Sequence, residues 1–119
     1  MRFLYHPERK NISLAGVLYA LGDPVRLEIV RQLATKKEQC CGDFDFAIAK
    51  STMSNHFKIL RESGIVLTRK EGTQHINTLR TEDLEELFPG LLEAVLNSAQ
   101  PFIISGKEAV NSEQLTVNS

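Results

Sequence analysis

The sequence predicts one mainly helical domain that carries a single β-hairpin. Three observations predict it. Apolar residues recur at helical spacing through 53–60 and 84–96. Asp23-Pro24 and Gly64 stand where one helix should open and another should close. Between residues 65 and 80 the period changes: IVLTRK and QHINTLR are rich in β-branched residues and flank Glu71-Gly72-Thr73, a hairpin signal.

The elements follow in order. Residues 1–10 read as a loose N-terminal arm. Residues 11–21 (NISLAGVLYAL) form a helix that is apolar nearly all round, hence buried on more than one side. Gly22 ends it, and Asp23 caps the next helix with Pro24 at its first position. Val25, Leu27, Ile29, Val30 and Leu33 supply that helix's core face, and residues 35–39 are a polar connection. Residues 40–48 have Phe44 and Ile48 at helical spacing and suit a short helix. Ser51 caps a helix running to residue 62 or 63, with Met53, Phe57 and Leu60 as its buried stripe. After the hairpin, Thr81 caps a last helix with apolar residues from Leu84 to Leu96, which Pro89-Gly90 should kink or break. The domain proper spans 11–100, and 101–119 is expected to be a flexible tail.

Composition excludes several classes. The 119 residues allow one domain, and 42% hydrophobic with 24% charged residues is ordinary globular composition. No apolar run reaches the roughly 18 residues of a membrane helix. Arg2, Arg9 and Lys10 before an apolar stretch imitate a secretion signal, but cleavage there would discard a helix the fold needs. The net charge of −1 hides an asymmetry: residues 1–49 carry +1, residues 50–80 carry +4 and residues 81–119 carry −6. A basic middle beside an acidic end points to a face that meets a polyanion, against the plainer reading of solvated surface charge.

Helices followed by a hairpin, with two of the helices closely joined, describe a winged helix-turn-helix. In that arrangement the second helix of the pair enters the DNA major groove and the hairpin reaches phosphates or a neighbouring groove. Lys50, Ser51, Thr52, Ser54, Asn55, His56 and Lys58 give the helix at 51–62 a polar face of short hydrogen-bonding groups and cations. Arg69, Lys70, Gln74 and His75 suit the wing to backbone or minor-groove contact.

Three stretches carry a family resemblance. Residues 20–27 (ALGDPVRL) are similar to the ALADPTRL opening of ArsR/SmtB winged-helix repressors. Residues 53–66 (MSNHFKILRESGIV) resemble that family's VSxHLxxLRxAGLV recognition helix, and residues 69–72 (RKEG) its RREG wing. The resemblance covers about residues 11–97. It implies a homodimeric repressor that binds a double-stranded DNA operator and releases it on sensing a metal ion or an oxidant; the expectation of a cytoplasmic setting rests instead on cysteine usage, two adjacent thiols in a chain that is not disulfide-dense. It also implies a dimer interface on the first and last helices, assigned here to Ile12, Leu14, Val17, Leu18, Leu91, Leu92, Val95 and Leu96.

The departures concern the signal. Metal-sensing members often carry Cys-x-Cys-Asp-Leu, where this chain has Cys40-Cys41-Gly42-Asp43-Phe44. Two thiolates fall short of the three or four ligands a zinc-like ion takes. No His follows His75, so the family's other zinc site has no imidazole here. Three readings of Cys40 and Cys41 stand: inert thiols, a redox sensor activated by a helix N-terminus and by Lys36 and Lys37, or a soft-metal site completed by His6 or a partner subunit. Thiol oxidation is favoured over a soft metal, no resident cofactor is expected, and adjacent cysteines do not suit an intrachain bridge. A Cys40/His56 thiol enzyme has no oxyanion motif or third orienting group beside it, and a winged helix used only for protein contact has no need of the +4 segment.

Overall fold

The computed structural model describes residues 4–40, 44 and 46–100. A 3-10 turn at Arg9–Asn11 is followed by α1 (Leu14–Leu21), α2 (Pro24–Lys36), β1 (Glu38–Cys40), α3 (Lys50–Glu62), β2 (Val66–Glu71), β3 (Gln74–Leu79), α4 (Thr81–Leu87) and α5 (Leu91–Ser98). The architecture is a mainly helical winged helix-turn-helix. Its wing belongs to a three-stranded antiparallel sheet in the order β1-β3-β2.

Local chemistry places most boundaries. Ser13 Oγ accepts the Gly16 N–H at 3.0 Å, so α1 starts at Leu14, later than the apolar run suggests. Asp23 Oδ2 accepts from Val25 N–H at 2.9 Å and Arg26 N–H at 3.1 Å, which caps α2 with Pro24 inside its first turn. Gly64 ends α3 with φ +87°, and a side chain there would collide with Ile12. The pair Glu71↔Gln74 closes the hairpin on Gly72-Thr73, where Gly72 takes φ +61° as the strand twist requires. Pro89-Gly90 does break the last helix: α4 ends at Leu87, and Gly90 precedes α5 with φ +81°. One core cluster joins Val17 of α1, Ile29, Val30 and Leu33 of α2, Phe57 and Leu60 of α3, Ile65, and Leu84 and Leu92 beyond the sheet.

Several expectations are corrected. The polar connection at 35–39 is divided: α2 continues to Lys36, Lys37 turns the chain with φ +69°, and Glu38–Cys40 adds a third strand beside β3. The strand forms because Gln39 is buried against Asn77, which no apolar pattern signals. Residues 40–48 form no helix among the described residues; Cys40 ends β1, and Phe44 and Phe46 lie on irregular backbone. Residues 41–43 and 45 of that expected helix lie outside the described residues. The apolar spacing there reflects ring packing instead, with Phe44 centred 5.7 Å from Phe46 and 5.4 Å from Phe57.

Neither expected cap residue caps. Ala49 is the N-cap of α3 and places Ser51 inside the helix. Arg80 is the N-cap of α4, its own Nε donating to Asp83 at 3.0 Å in the first turn. The arm is held rather than loose from residue 4 onward. His6 Nε2 accepts the Thr68 N–H at 3.0 Å, Arg80 Nη1 donates to the Pro7 carbonyl at 2.8 Å, and Arg9 Nε donates to Asp83 at 2.7 Å. This covers the outer edge of β2, beyond which no strand lies among the described residues. The tail from residue 101 lies outside the described residues.

Candidate nucleic-acid interface

α3 has two faces. Phe57 and Leu60 are buried, and Met53 and Ile59 pack half-buried against the same core. Lys50, Ser51, Thr52, Ser54, Asn55 and Lys58 are exposed. The N-cap residue of α3 is Ala49, whose side chain offers the first N–H groups no acceptor. An uncapped N-terminus beside Ser51, Thr52 and Lys50 is an anion-accepting end, and the helix dipole adds to it.

His56, placed by sequence on the DNA face, is half-buried and turned toward α2. Its Nδ1 lies 3.2 Å from Arg26 Nη1 and 3.9 Å from Asp23 Oδ2. A guanidinium only donates, so Nδ1 accepts and the ring proton of the neutral imidazole sits on Nε2. His56 is therefore oriented from inside the chain, its side chain largely buried. Arg26 also donates to the Ala20 carbonyl at 2.7 Å and lies 5.3 Å from the Tyr19 ring centroid. One buried guanidinium thus ties the C-terminal end of α1 to α3. Sequence reading missed it, although Arg26, Ile29, Val30 and Leu33 share the i, i+3, i+4, i+7 spacing of the buried face.

The sheet register sorts the wing. Thr68↔Asn77↔Gln39 forms an inward row. Thr68 Oγ1 donates to Asn77 Oδ1 at 2.6 Å, Asn77 Nδ2 to the Gln39 carbonyl at 3.2 Å, and Gln39 Nε2 to Gln32 Oε1 at 3.3 Å. These buried polar bonds lock the three strands to α2. The pair Lys70↔His75 has the same parity, and half-buried His75 lines a pocket against α3. Arg69 lies on the opposite face, in the row of Ile76 and Cys40.

The charges of the candidate DNA face differ in availability. Arg69 Nε donates to Glu71 at 2.7 Å and Arg69 Nη2 to Glu38 at 3.2 Å. The hydrogen bond to Glu71, then that to Glu38, holds the guanidinium above its ordinary pKa. Lys50, Lys58 and Lys70 are exposed and make no ion pair among the described residues. Gln74 is exposed beside the turn.

The expected thiol environment changes. Cys40 is half-buried at the end of a strand and does not itself begin a helix. Cys41 lies outside the described residues. His6 sits on the far edge of the sheet, two strand spacings or roughly 10 Å from β1. Burial, then the charges of Arg61 and Arg80, push its pKa below the ordinary value and favour the neutral acceptor that Thr68 uses. His6 therefore does not complete a site at Cys40. Among the described residues, no three His, Cys, Asp or Glu side chains cluster as a metal site.

The expected dimer residues divide. Ile12, Val17 and Leu92 are buried within the chain's own core. Leu14 at 46% and Leu18 at 48% exposure stand out from α1, beside Tyr19 at 68%. Leu91, Val95 and Leu96 of α5 are half-buried. α1 thus keeps apolar side chains on the side away from the core, whereas Leu91, Val95 and Leu96 of α5 pack partly against it.

Residues 23–68 match the model of a family described as bacterial regulatory protein, arsR family. The chain is 39% identical over 84 residues to the uncharacterized HTH-type transcriptional regulator YceK of Bacillus subtilis, covering 68% of this chain and 84% of that protein. It is 38% identical over 75 residues to the arsenical resistance operon repressor of Staphylococcus xylosus, covering 61% and 71%. The HTH-type transcriptional repressor SmtB of Mycobacterium tuberculosis is 30% identical over 100 residues, covering 82% and 71%. Among solved structures, an ArsR family transcriptional regulator superposes with a TM-score of 0.52 at 22% identity, covering 82% of this chain and all of that one. None of the helices among the described residues is long and apolar enough to cross a membrane.

Proposed function

The chain belongs to the ArsR/SmtB family of helix-turn-helix transcriptional regulators, and from that membership we propose a homodimeric repressor that reads a roughly palindromic operator and is released by a thiol-directed signal. A DNA-binding regulator is what its family is; an enzyme is not. The observation that carries the finer reading is the outward row on α3, where Ser51, Thr52, Ser54, Asn55 and Lys58 follow an uncapped helix end. The N-terminal half of α3 enters the major groove, Ser54 and Asn55 reach base edges, and the end N–H groups and Lys50 take phosphate. Lys70 and Gln74 bring the wing to the flanking backbone. His56 stands beside the exposed row, held by Arg26 from within.

Dimerisation supplies the second half-site. The apolar residues left at the surface, Leu14 and Leu18 of α1 with Leu91, Val95 and Leu96 of α5, support that pairing. For the signal, Cys40 stands in the sheet row of Arg69, so oxidation there acts on the wing strands directly. Similarity to arsenical resistance operon repressors favours a second reading, in which a thiophilic ion bridges Cys40 and Cys41.

The test is fluorescence anisotropy with DNA from upstream of the protein's own gene, metals chelated. Reduced protein binds tightly, and a mild thiol oxidant releases the DNA reversibly. Ser54→Ala and Asn55→Ala weaken specific binding by about tenfold each, as expected for lost base contacts, with the melting temperature unchanged. Equal loss of melting temperature and binding removes both residues from the base-reading set. Release by a soft ion, with oxidant inert, selects the second reading of the signal.

A further inference from the structure

The strongest feature beyond the DNA reading is a pocket lined by residues of α3, by His75 of β3 and by Phe44, Phe46 and Ile48. It measures about 480 Å³, within the range of small-molecule sites. Its floor is apolar: Phe44, Phe46 and Phe57, with Ile48 and Met53. The three rings pack at tilted angles; Phe44 and Phe57 are buried, and Phe46 is half-buried at the pocket. The polar lining is Lys50, Ser54, Arg61 and His75, and no described carboxylate belongs to it.

Arg61 is the telling residue. Arg9, Arg31, Arg69 and Arg80 each have a carboxylate partner, and Arg26 donates to backbone carbonyls and His56. Arg61 is half-buried, lines the pocket and has no carboxylate partner among the described residues. A guanidinium in a partly enclosed, aromatic-floored cavity matches a planar carboxylate bidentately. Lys50 across the lining adds a second cation.

We infer that this pocket binds a small monocarboxylate with an aromatic or other apolar body, and that its occupancy excludes DNA from α3. The exclusion follows from sharing: Lys50 and Ser54 line the pocket and also belong to the proposed DNA face. This second half rests on the DNA-binding reading above; the first half does not.

The probe is 2-naphthoate, with 2-naphthylmethylammonium as the charge-reversed control, added to full-length ¹⁵N-labelled protein without DNA. Naphthoate is expected to shift the amides of Phe46, Ile48, Ser54 and His75, and the ammonium is not. Arg61→Gln weakens binding by about tenfold, the effect of one lost charge-assisted contact, while Arg61→Lys, which keeps the charge but not the bidentate fork, loses less. Dispersed spectra of both variants show that they are folded. The site is overturned by an absence of shifts, by shifts centred on α1 and α5, by equal binding of the ammonium, or by Arg61→Gln binding as tightly as the parent. In a separate anisotropy experiment, saturating naphthoate releases operator DNA. Naphthoate bound in the pocket with DNA still retained overturns the exclusion.

Discussion

The two carboxylates that hold Arg69 make a quantitative prediction about the wing. DNA binding weakens with salt because cations on the protein displace counterions from phosphates, with a slope of about −0.9 in log K against log salt per phosphate neutralised. Lys50, Lys58 and Lys70 are exposed and outside any ion pair among the described residues, whereas Arg69 already sits against Glu71 at 2.7 Å and Glu38 at 3.2 Å. If those three lysines meet phosphate on both protomers of a dimer, the slope is about −5. Lys58→Gln removes two contacts per dimer and flattens the slope by about 2. Arg69→Gln flattens it by less than about 1, because a compensated guanidinium has little to release. The informative variant is Glu38→Gln with Glu71→Gln. It frees both copies of Arg69 and steepens the slope by about 2, with tighter binding at low salt. Fluorescence anisotropy on one operator at four or five salt concentrations reads all three. Exposed pairs of this kind contribute little to folding, so the melting temperatures should agree. An Arg69→Gln slope as flat as that of Lys58→Gln, or an unchanged slope in the glutamine pair, refutes the reasoning.

Gly64→Ala combines a φ of +87° with a collision against Ile12. The left-handed backbone costs about 1–2 kcal/mol and the overpacking about 1–3, so urea unfolding at fixed protomer concentration should show about 2–5 kcal/mol lost; a loss below about 1 refutes the placement. His6 accepts from Thr68 as a neutral ring, and its folded pKa lies below the usual 6.5. Its contribution is therefore complete above about 6.5 and is lost as pH falls through the lower folded value. The protection factor of the Thr68 amide, its exchange corrected for the intrinsic rate at each pH, should fall on acidification in the parent and be low at every pH in His6→Ala; a parent protection factor that does not change with pH contradicts the tether. Leu18→Glu places a charge on the exposed apolar side of α1 and should yield folded monomers by sedimentation, whereas Val17→Ala should lower stability without changing the oligomeric state. Dimeric Leu18→Glu protein removes α1 from the interface.

The parts of the fold that were legible are those where one residue's own chemistry decides the backbone. Asp23-Pro24, Gly64, Gly72 and Gly90 sit where the sequence places them because capping and positive φ are local demands. Ser51 and Thr81 show the limit of the same logic. A hydroxyl near a helix start is compatible with capping but does not compel it. At α3 the start moves to Ala49, and at α4 the pair Arg80–Asp83 holds the first turn. The strand β1 was not legible because its partner is distant. Gln39 is buried by Asn77, thirty-eight positions away, through a hydrogen bond that no sequence window contains. The apolar spacing of Phe44 and Ile48 was read as a helix face, yet aromatic rings can bury themselves from irregular backbone, and here they do.

The candidate site divides along the same line. Residue type and helical phase identified the exposed row of α3, since a polar side chain opposite Phe57 and Leu60 has nowhere else to point. Availability was invisible. Summed charge treats Arg69 and Lys58 as equals, but one is held by two carboxylates and the other is not. His56 read as a surface donor because it lies beside Asn55 in sequence, although the buried guanidinium of Arg26 fixes one of its nitrogens. Arg26 also donates to the Ala20 carbonyl, so one side chain links the C-terminal end of α1 to the ring of His56. That link depends on Arg26 staying buried, and the Asp23 cap, which accepts the Arg26 N–H, fixes the turn of α2 that carries it.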